Sequence, residues 1–146
     1  MAQEYNTILV VEDEPDHREL LLRSFACLDI PHIVKVVADG ETAMDYLHQR
    51  GEYSNPEQSP WPQLVILDLR LTKMDGLDVL RAIKTDSELK KIPVVVYSSS
   101  TSKSDIDEAY RLKANSYLVK PTDAKESAKL MCEMGRYWLC WNQLPS

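Results

Sequence analysis

The sequence predicts an α/β protein with a doubly wound sheet of five parallel strands. Five short apolar runs alternate along the chain with five segments whose apolar residues recur at helical spacing. Apolar runs without charges are typical of strands that are buried on both faces. Strands that alternate with helices favour a parallel sheet with helices on both faces and right-handed crossovers. A chain of 146 residues is long enough for one such domain.

The first two strands and their helices lie in the first third of the chain. An apolar run at residues 7–11 predicts the first strand. The helix that follows has Pro15 in its first turn, Asp13 as a candidate cap and an end near residue 29. The Val-rich run at residues 33–37 predicts the second strand. The next helix follows the turn at Asp39-Gly40, and its apolar side consists of Ala43, Met44 and Leu47.

Residues 49–63 have the composition of a loop. Gly51, Pro56, Pro60 and Pro62 interrupt a polar stretch that therefore suits neither a helix nor a strand ladder. The segment is long for a connection between a helix and a strand. Loops of that length tend to be functional or mobile.

The remaining elements follow the central strand. Residues 64–67 form an uninterrupted apolar run that ends on Asp68, and the helix after it begins at Asp75-Gly76 and ends near Thr85. Two further strands are predicted at residues 93–97 and 116–119, with a helix between them at residues 105–113. The last helix, residues 123–141, has one apolar face that widens towards its end through Leu130, Tyr137, Leu139 and Trp141. Such a helix is either covered on both sides or meets a partner.

Polar side chains follow four of the predicted strands. Glu12 and Asp13 follow the first, Asp68 the third, Ser98 the fourth and Lys120 the fifth. Because the strands are parallel, these residues share the edge at which α/β sheets bind ligands. Each residue alone would be explained as a helix cap, a turn residue or a solvated charge. Their joint occurrence favours a functional site.

The three carboxylates at this edge predict a magnesium site. Carboxylates in one crevice repel each other and raise one another's pKa unless a cation offsets their charge. Mg²⁺ prefers a few carboxylates together with substrate phosphate over a complete cage of protein ligands. Glu12, Asp13 and Asp68 supply oxygen donors of this kind.

The order and spacing of these residues closely resemble the receiver domains of two-component response regulators. The matching signals are Glu12-Asp13, Asp68 with Gly76 eight residues later, Ser98, and Tyr117 with Lys120-Pro121. The resemblance extends over residues 6–140. It implies a flavodoxin-like receiver fold with five helices and strand order 2-1-3-4-5. It also implies one receiver domain over residues 1–146, with its core at residues 6–141.

The resemblance implies a phosphoacceptor with a bound metal. Asp68 would attack the phosphorus of a phosphohistidine on a sensor histidine kinase. Asp13 and Asp68 would ligate Mg²⁺ directly, Arg70 through its backbone carbonyl, and Glu12 through water. Phosphoryl transfer mainly requires positioning and charge neutralisation, which Mg²⁺ and Lys120 would supply.

The resemblance also implies how the site would respond to phosphorylation. Lys120 would pair with the phosphoryl group, Ser98 would donate a hydrogen bond to it, and Tyr117 would turn inward. Pro121 would follow a cis peptide bond. The chain departs from the family at Thr72, where members usually have Pro.

A narrower resemblance concerns the partner. The loop at residues 49–63 and the aromatic final helix are similar to those of the stand-alone regulators that serve cyanobacterial and related bacterial phytochromes. A light-sensing histidine kinase would then be the partner, with a downstream histidine phosphotransfer protein as a further candidate. The final helix, with the fourth helix and fifth strand, would form a homodimer face. The alternative is an ordinary core that the chain's own tail covers.

Two other functions share parts of this pattern. Phosphohydrolases of the haloacid dehalogenase type carry a second Asp two residues after the nucleophile, where this chain has Arg70. A receiver-like binding module that signals without phosphorylation would lack an acid, the acceptor or the lysine, and none is missing. We therefore expect catalysis of the chain's own phosphorylation and dephosphorylation and no external substrate.

Composition limits the partners and the compartment. A net charge of −6 argues against nucleic acid, which requires clustered Lys and Arg. No run approaches the roughly 18 apolar residues of a membrane span, and residues 1–6 lack the features of a signal peptide, so we expect a cytoplasmic protein. Cys27, Cys132 and Cys140 are odd in number and lie in helical patterns, which favours buried reduced thiols.

Overall fold

The computed structural model describes residues 6–145 and contains the predicted parallel sheet. Its strands are β1 (Asn6–Val11), β2 (His32–Val37), β3 (Leu64–Leu67), β4 (Val94–Ser98) and β5 (Ser116–Val119). They pair in parallel in the order β2-β1-β3-β4-β5. The predicted fold class and strand order are confirmed. Residues 1–5 and 146 of the expected domain, with most of the segment considered for a signal peptide, lie outside the described residues.

Five α-helices connect and cover the strands. They are α1 (Pro15–Ser24), α2 (Gly40–Leu47), α3 (Gly76–Thr85), α4 (Lys103–Arg111) and α5 (Ala124–Arg136). The helix expected to end near residue 29 is shorter, because the chain tightens after α1 into a 3-10 turn, Phe25–Cys27. The last helix changes geometry too, since a π-helical turn, Tyr137–Trp141, follows α5. Within residues 6–145, no helix has the length and apolar character needed to span a bilayer.

The core consists of two apolar layers, one on each face of the sheet. Leu9 and Val11 of β1 face the layer that includes residues of α2 and α3, whereas Ile8 and Val10 face the layer that includes residues of α1 and α5. All four side chains are 0–1% exposed. Burial on both faces explains the uninterrupted apolar runs and holds the carboxyl ends of the central strands side by side.

The loop at residues 49–63 is packed against the body of the domain. The hydroxyl of Tyr46 donates to the carbonyl oxygen of Pro60 at 2.7 Å. The side-chain amide of Gln49 donates to the carbonyl oxygen of Ser59 at 3.1 Å. The rings of Tyr46 and Tyr53 lie 5.3 Å apart between centroids. The loop and the edge strand β2 border a groove of about 500 Å³.

The expectation of three buried reduced cysteines is wrong. Cys27, in the turn after α1, forms a disulfide with Cys132 of α5, and their Cα atoms are 6.1 Å apart. Cys140 is free and exposed. The two bonded cysteines are 105 residues apart in sequence, so their proximity depends on tertiary packing that spacing along the chain does not reveal.

Candidate functional site

The carboxyl ends of β1 and β3 bring three carboxylates together. Val11 pairs with Leu67 in the parallel register, so the chain leaves both strands at the same level. One carboxylate oxygen from each of Glu12, Asp13 and Asp68 lies within 4.8 Å of the other two. Glu12 and Asp68 are only 1% and 6% exposed, whereas Asp13 is half-buried. The three predicted acids therefore form one cluster that remains open to solvent on the Asp13 side.

The turn between β1 and α1 directs these acids into the cluster. Asp13 is not the helix cap that the sequence suggested, because α1 begins after Glu14 without a side-chain cap. The guanidinium of Arg18 instead donates to the carbonyl oxygens of Glu12 and Asp13, at 3.2 and 3.4 Å. The backbone N–H of Glu14 donates to Oε2 of Glu12 at 3.3 Å. The turn is thus stabilised without the carboxylate of Asp13.

Lys120 places its ammonium group against the acidic cluster. Its Nζ donates to Oε1 of Glu12 at 2.5 Å and to Oδ2 of Asp68 at 2.8 Å. The backbone N–H of Lys120 donates to the carbonyl oxygen of Ser98 at 2.8 Å, which fixes the start of its side chain beside the end of β4. Lys120 therefore contacts the carboxylate of Asp68 in this structure, and its pairing with a phosphoryl group stays a prediction.

The expected cis bond before Pro121 is wrong. Among residues 6–145 the structure has no cis peptide bond. Lys120 reaches Asp68 from a trans backbone, and its own N–H is bonded to the end of β4.

The charges of the cluster do not balance. Burial lowers the pKa of the Lys120 ammonium, but its hydrogen bonds with Asp68 and Glu12 outweigh burial and keep that pKa above its ordinary value. Burial raises the pKa of the Glu12 carboxyl, and the nearby Asp68 adds to this rise against the opposing effect of Lys120. Glu12 and Asp68 share the ammonium of Lys120, and Asp13 adds a third carboxyl group, so the cluster holds more acidic groups than cations. This donor set suits a hard divalent cation with oxygen ligands.

Close packing by α3 shapes the loop that carries Asp68. A Cβ atom at Gly76 would lie 2.3 Å from the carbonyl oxygen of Asp68 and 2.6 Å from Cα of Leu69, so only glycine allows this approach. The backbone N–H of Arg70 donates to Oδ1 of Asp68 at 3.0 Å. The side chain of Arg70 is 76% exposed and points towards Asp105, at 3.8 Å. Metal binding by the carbonyl of Arg70 stays a prediction.

Ser98 and Tyr117 both contact the loop after β4. Ser98 is fully buried, and its Oγ accepts a hydrogen bond from the backbone N–H of Ser100 at 3.1 Å. The hydroxyl of Tyr117 donates to the carbonyl oxygen of Ser100 at 2.9 Å. Within residues 6–145, neither hydroxyl is hydrogen-bonded to Asp68. Both predicted response residues are thus linked through Ser100 to the segment that leads into α4.

Two further residues approach Lys120 and were not predicted. Nδ1 of His17 is 3.0 Å from Nζ of Lys120, and the ring centroid of Tyr97 is 5.7 Å from the same atom. A cavity of about 430 Å³ beside them opens between α1 and the start of α5. Their positions in the sequence give only a weak signal that they belong to the site. His17, on α1, comes four residues after Asp13, and Tyr97 directly precedes Ser98.

Comparison with known proteins is consistent with this geometry. The family model described as the response regulator receiver domain matches residues 8–131. The probable methanogenesis regulatory protein FilR2 from Methanothrix harundinacea is 40% identical over 146 residues, covering 99% of this chain and 90% of the relative. Response regulator Rcp1 from Synechocystis sp. is 38% identical over 149 residues, covering 100% of this chain and 99% of the relative.

Solved structures match over nearly the whole chain. The crystal structure of the phosphorylated cyanobacterial phytochrome response regulator RcpA has a TM-score of 0.92 at 39% identity, covering 98% of this chain and 100% of that one. The Mn²⁺-bound form of Rcp1 has a TM-score of 0.89 at 38% identity, covering 97% and 99%. The similarity therefore includes the long loop and the final helix as well as the sheet.

Proposed function

This chain belongs to the response regulator receiver family, and from that premise we propose that Asp68 accepts a phosphoryl group from a phosphohistidine of a sensor histidine kinase. Membership of this family makes the chain a response regulator and not a conventional enzyme. The observation that carries the proposal is the ammonium of Lys120, which joins Asp68 to Glu12 at a rim that also holds Asp13. This arrangement provides a nucleophile and a cation for the charge of a phosphoryl group.

The residues of the chain would perform the transfer mainly by positioning. A carboxylate oxygen of Asp68 forms a bond to phosphorus while the bond from phosphorus to the donor imidazole breaks, and the imidazole nitrogen then takes up a proton. The N–H of Arg70 orients the Asp68 carboxylate at 3.0 Å. The ammonium of Lys120 moves from the carboxylate to the phosphoryl oxygens, and the hydroxyl of Ser98 turns from Ser100 to donate to them. Tyr117 then follows inward and changes the surface near α4.

A divalent cation, proposed as Mg²⁺, would be held by Asp13 and Asp68 directly, by the carbonyl of Arg70, and by Glu12 through water. When bound, it would supply charge neutralisation at the phosphoryl oxygens. Support comes from the three carboxylates within 4.8 Å and from the Mn²⁺-bound form of the relative Rcp1.

The test of this function is phosphorylation by a small donor. Incubation with acetyl phosphate and Mg²⁺ is expected to add the mass of one phosphoryl group, and Asp68→Asn should abolish the addition. Asp78→Asn, on an exposed face of α3, is the matched control and should retain it. A mass shift that persists in Asp68→Asn would contradict the proposal. Release of phosphate from varied monoesters over many turnovers would favour the phosphohydrolase alternative.

The proposed partner is a histidine kinase of the bacterial phytochrome type, acting in the cytoplasm. Support comes from the relative RcpA, which is a cyanobacterial phytochrome response regulator, and from the match to Rcp1 over the full chain. The relative FilR2 is 40% identical to this chain and is named a probable methanogenesis regulatory protein, so sequence identity at this level does not specify the kinase. The kinase therefore requires its own test. Phosphotransfer from a panel of purified kinases should be fastest with a phytochrome kinase. A faster transfer from a kinase without a light-sensing module would reject this partner. A downstream histidine phosphotransfer protein is a further proposed partner. We do not propose nucleic acid as a partner.

We also propose a single receiver domain that forms a homodimer through the face of α4, β5 and the final turn. This aromatic face, as we call it, exposes apolar side chains from all three elements: Tyr110, Val119, Tyr137 and Trp141. Trp141 is 74% exposed, which is unusual for so large an apolar side chain. Burial against a second copy would remove this apolar surface from water.

A further inference from the structure

A buried tyrosine lies between Lys120 and the start of α5. Tyr97, the fourth residue of β4, is 3% exposed, and its side chain packs in the apolar layer that includes residues of α1 and α5. Its ring centroid is 5.7 Å from Nζ of Lys120, within the range at which an aromatic face attracts a cation. The side chain of Lys120 is itself only 11% exposed.

The hydroxyl of Tyr97 makes a second contact. Its oxygen lies 2.5 Å from Oγ of Ser127, which is 5% exposed. Ser127 belongs to the first turn of α5, and its backbone N–H donates to the carbonyl oxygen of Asp123. A buried hydroxyl requires a hydrogen-bond partner, and these two hydroxyls satisfy one another. Tyr97 thus ties the end of β4 to the start of α5.

We propose that Tyr97 is a positioning residue that holds the ammonium of Lys120 over Asp68 with its ring and connects that ammonium to α5 through Ser127. The inference deepens the proposed function and rests on it for its kinetic consequence. The other contacts of Nζ are Glu12, Asp68 and His17, which lie along the rim of the site. Tyr97 contacts the ammonium from the apolar layer, so its removal leaves Nζ held by the rim contacts alone and takes away the ring that opposes movement towards α5.

The kinetic test separates the ring from the hydroxyl. Tyr97→Leu removes both and should lower the maximal rate of phosphorylation by acetyl phosphate at saturating Mg²⁺ about tenfold or more, with little change in the half-saturating donor concentration. Tyr97→Phe retains the ring and should restore the rate to nearly that of the wild type. Tyr46→Leu removes a buried tyrosine from the opposite layer and is the matched control. An unchanged rate in Tyr97→Leu would overturn the inference.

A second readout requires no phosphoryl group. The ring should shift the Hε resonances of Lys120 upfield in the NMR spectrum of the wild type and of Tyr97→Phe, and the shift should be lost in Tyr97→Leu. Lys120→Arg identifies the resonances. If the wild type is not phosphorylated, the proposed function fails. The spectrum still shows in that case whether the ring of Tyr97 lies against the side chain of Lys120. Resonances that stay in place in Tyr97→Leu would reject the positioning role.

The link to α5 has its own measurement. Tyr97→Phe and Ser127→Ala each remove the same hydrogen bond, so each should speed amide hydrogen exchange over residues 127–131 by a similar factor. The double variant should add nothing further, because the bond is already lost. Additive effects or unaltered exchange would reject the link. Should Tyr97→Leu not fold, Tyr97→Met replaces it in the kinetic and NMR tests, since Met fills irregular space in a core.

Discussion

Lys120 is the residue on which the charge of the site depends most. Its ammonium pairs with Glu12 and Asp68, both of which are almost completely buried. Without it, two buried carboxylates would lose their cation. Removal of one partner from a buried ion pair is costly because it leaves charge without compensation.

We therefore expect Lys120→Ala to lower the free energy of unfolding by about 3 kcal/mol in metal-free buffer at neutral pH. Mg²⁺ should restore more stability to the variant than to the wild type, because a cation replaces the lost ammonium. Urea unfolding with chelator and with Mg²⁺ measures both effects. Lys91→Ala, which breaks the exposed pair with Glu88, is the control and should cost less than about 1 kcal/mol. Equal responses of wild type and Lys120→Ala to Mg²⁺ would contradict this account of the site.

Lys84 provides a pH dependence that is separate from the acidic cluster. Burial lowers its pKa to about 8 from the ordinary 10.5. Its Nζ donates to the carbonyl oxygens of Lys90 and Ile92 and to the side chain of Asn115, which also accepts from the backbone of Val94. Between about pH 8 and pH 10.5 the unfolded chain keeps a proton that the folded chain releases.

The contribution of Lys84 to stability should therefore rise with pH across this window. Urea unfolding from pH 7.5 to 10.5 measures it as the difference in free energy of unfolding between the wild type and Lys84→Met, which should shift in favour of the wild type with a slope of up to about one proton. The difference is needed because tyrosines with raised pKa values lower the stability of both chains as the pH rises. Lys91→Met, which changes an exposed lysine nearby, should leave the pH profile unaltered. A wild-type profile that coincides with that of Lys84→Met would refute the role of Lys84.

The residues of the site differ in how far their positions could be predicted. Glu12, Asp13, Asp68 and Lys120 follow directly from strand ends, because a parallel sheet brings its carboxyl ends to one edge. Tyr97 could not be distinguished from an ordinary core aromatic, since its proposed role depends on the cation that follows β5 and on a hydroxyl from α5. His17 lies on the polar side of α1, and the helical spacing of apolar residues predicts only that such a side chain is exposed to solvent.

Elements were predicted best where burial alone determines them. The four residues of β3 are apolar and face both layers, and their predicted bounds match the structure. Helix ends depend on local geometry that apolar spacing does not report, as in the 3-10 turn after α1 and the π-helical turn after α5. Composition predicted the apolar end of the last helix, with Tyr137 and Trp141, but the exposure of Tyr110 and Val119 beside it required the packed structure.

The final turn yields a prediction about assembly. If the aromatic face pairs with a second copy, Trp141→Glu should place a charge in the interface and convert a dimer to a monomer. Sedimentation velocity measures the change in mass. Leu22→Glu is the control, because Leu22 is also an exposed apolar residue but belongs to α1. Trp138 is less suitable for substitution, since it packs against the core and its loss would also affect folding. A wild-type chain that sediments as a monomer would remove the dimer proposal.

At the scale of the whole molecule, the disulfide has the widest effect. It joins the turn after α1 to α5 and encloses β2 to β5 with the helices between them. Such a link restricts the unfolded chain more than the folded one, and the restriction increases with the length of the closed loop. Disulfides are rare in the cytosol, where thiols are kept reduced. Because we expect the protein to be cytoplasmic, the properties of its reduced state matter as much as those of the oxidised state.

We expect reduction of the Cys27–Cys132 bond to lower the free energy of unfolding by about 2–5 kcal/mol, given a sequence separation of 105 residues. Guanidinium or urea unfolding with and without a thiol reductant measures the difference. The double variant Cys27→Ser/Cys132→Ser should match the reduced wild type and should not respond to reductant. Cys140→Ser should behave as the wild type, because Cys140 is free and exposed. Because the cross-link joins the turn after α1 to α5 and neither cysteine belongs to the acidic cluster, phosphorylation of Asp68 should persist in the reduced chain. Loss of phosphorylation on reduction would mean that the α1–α5 packing also controls the site.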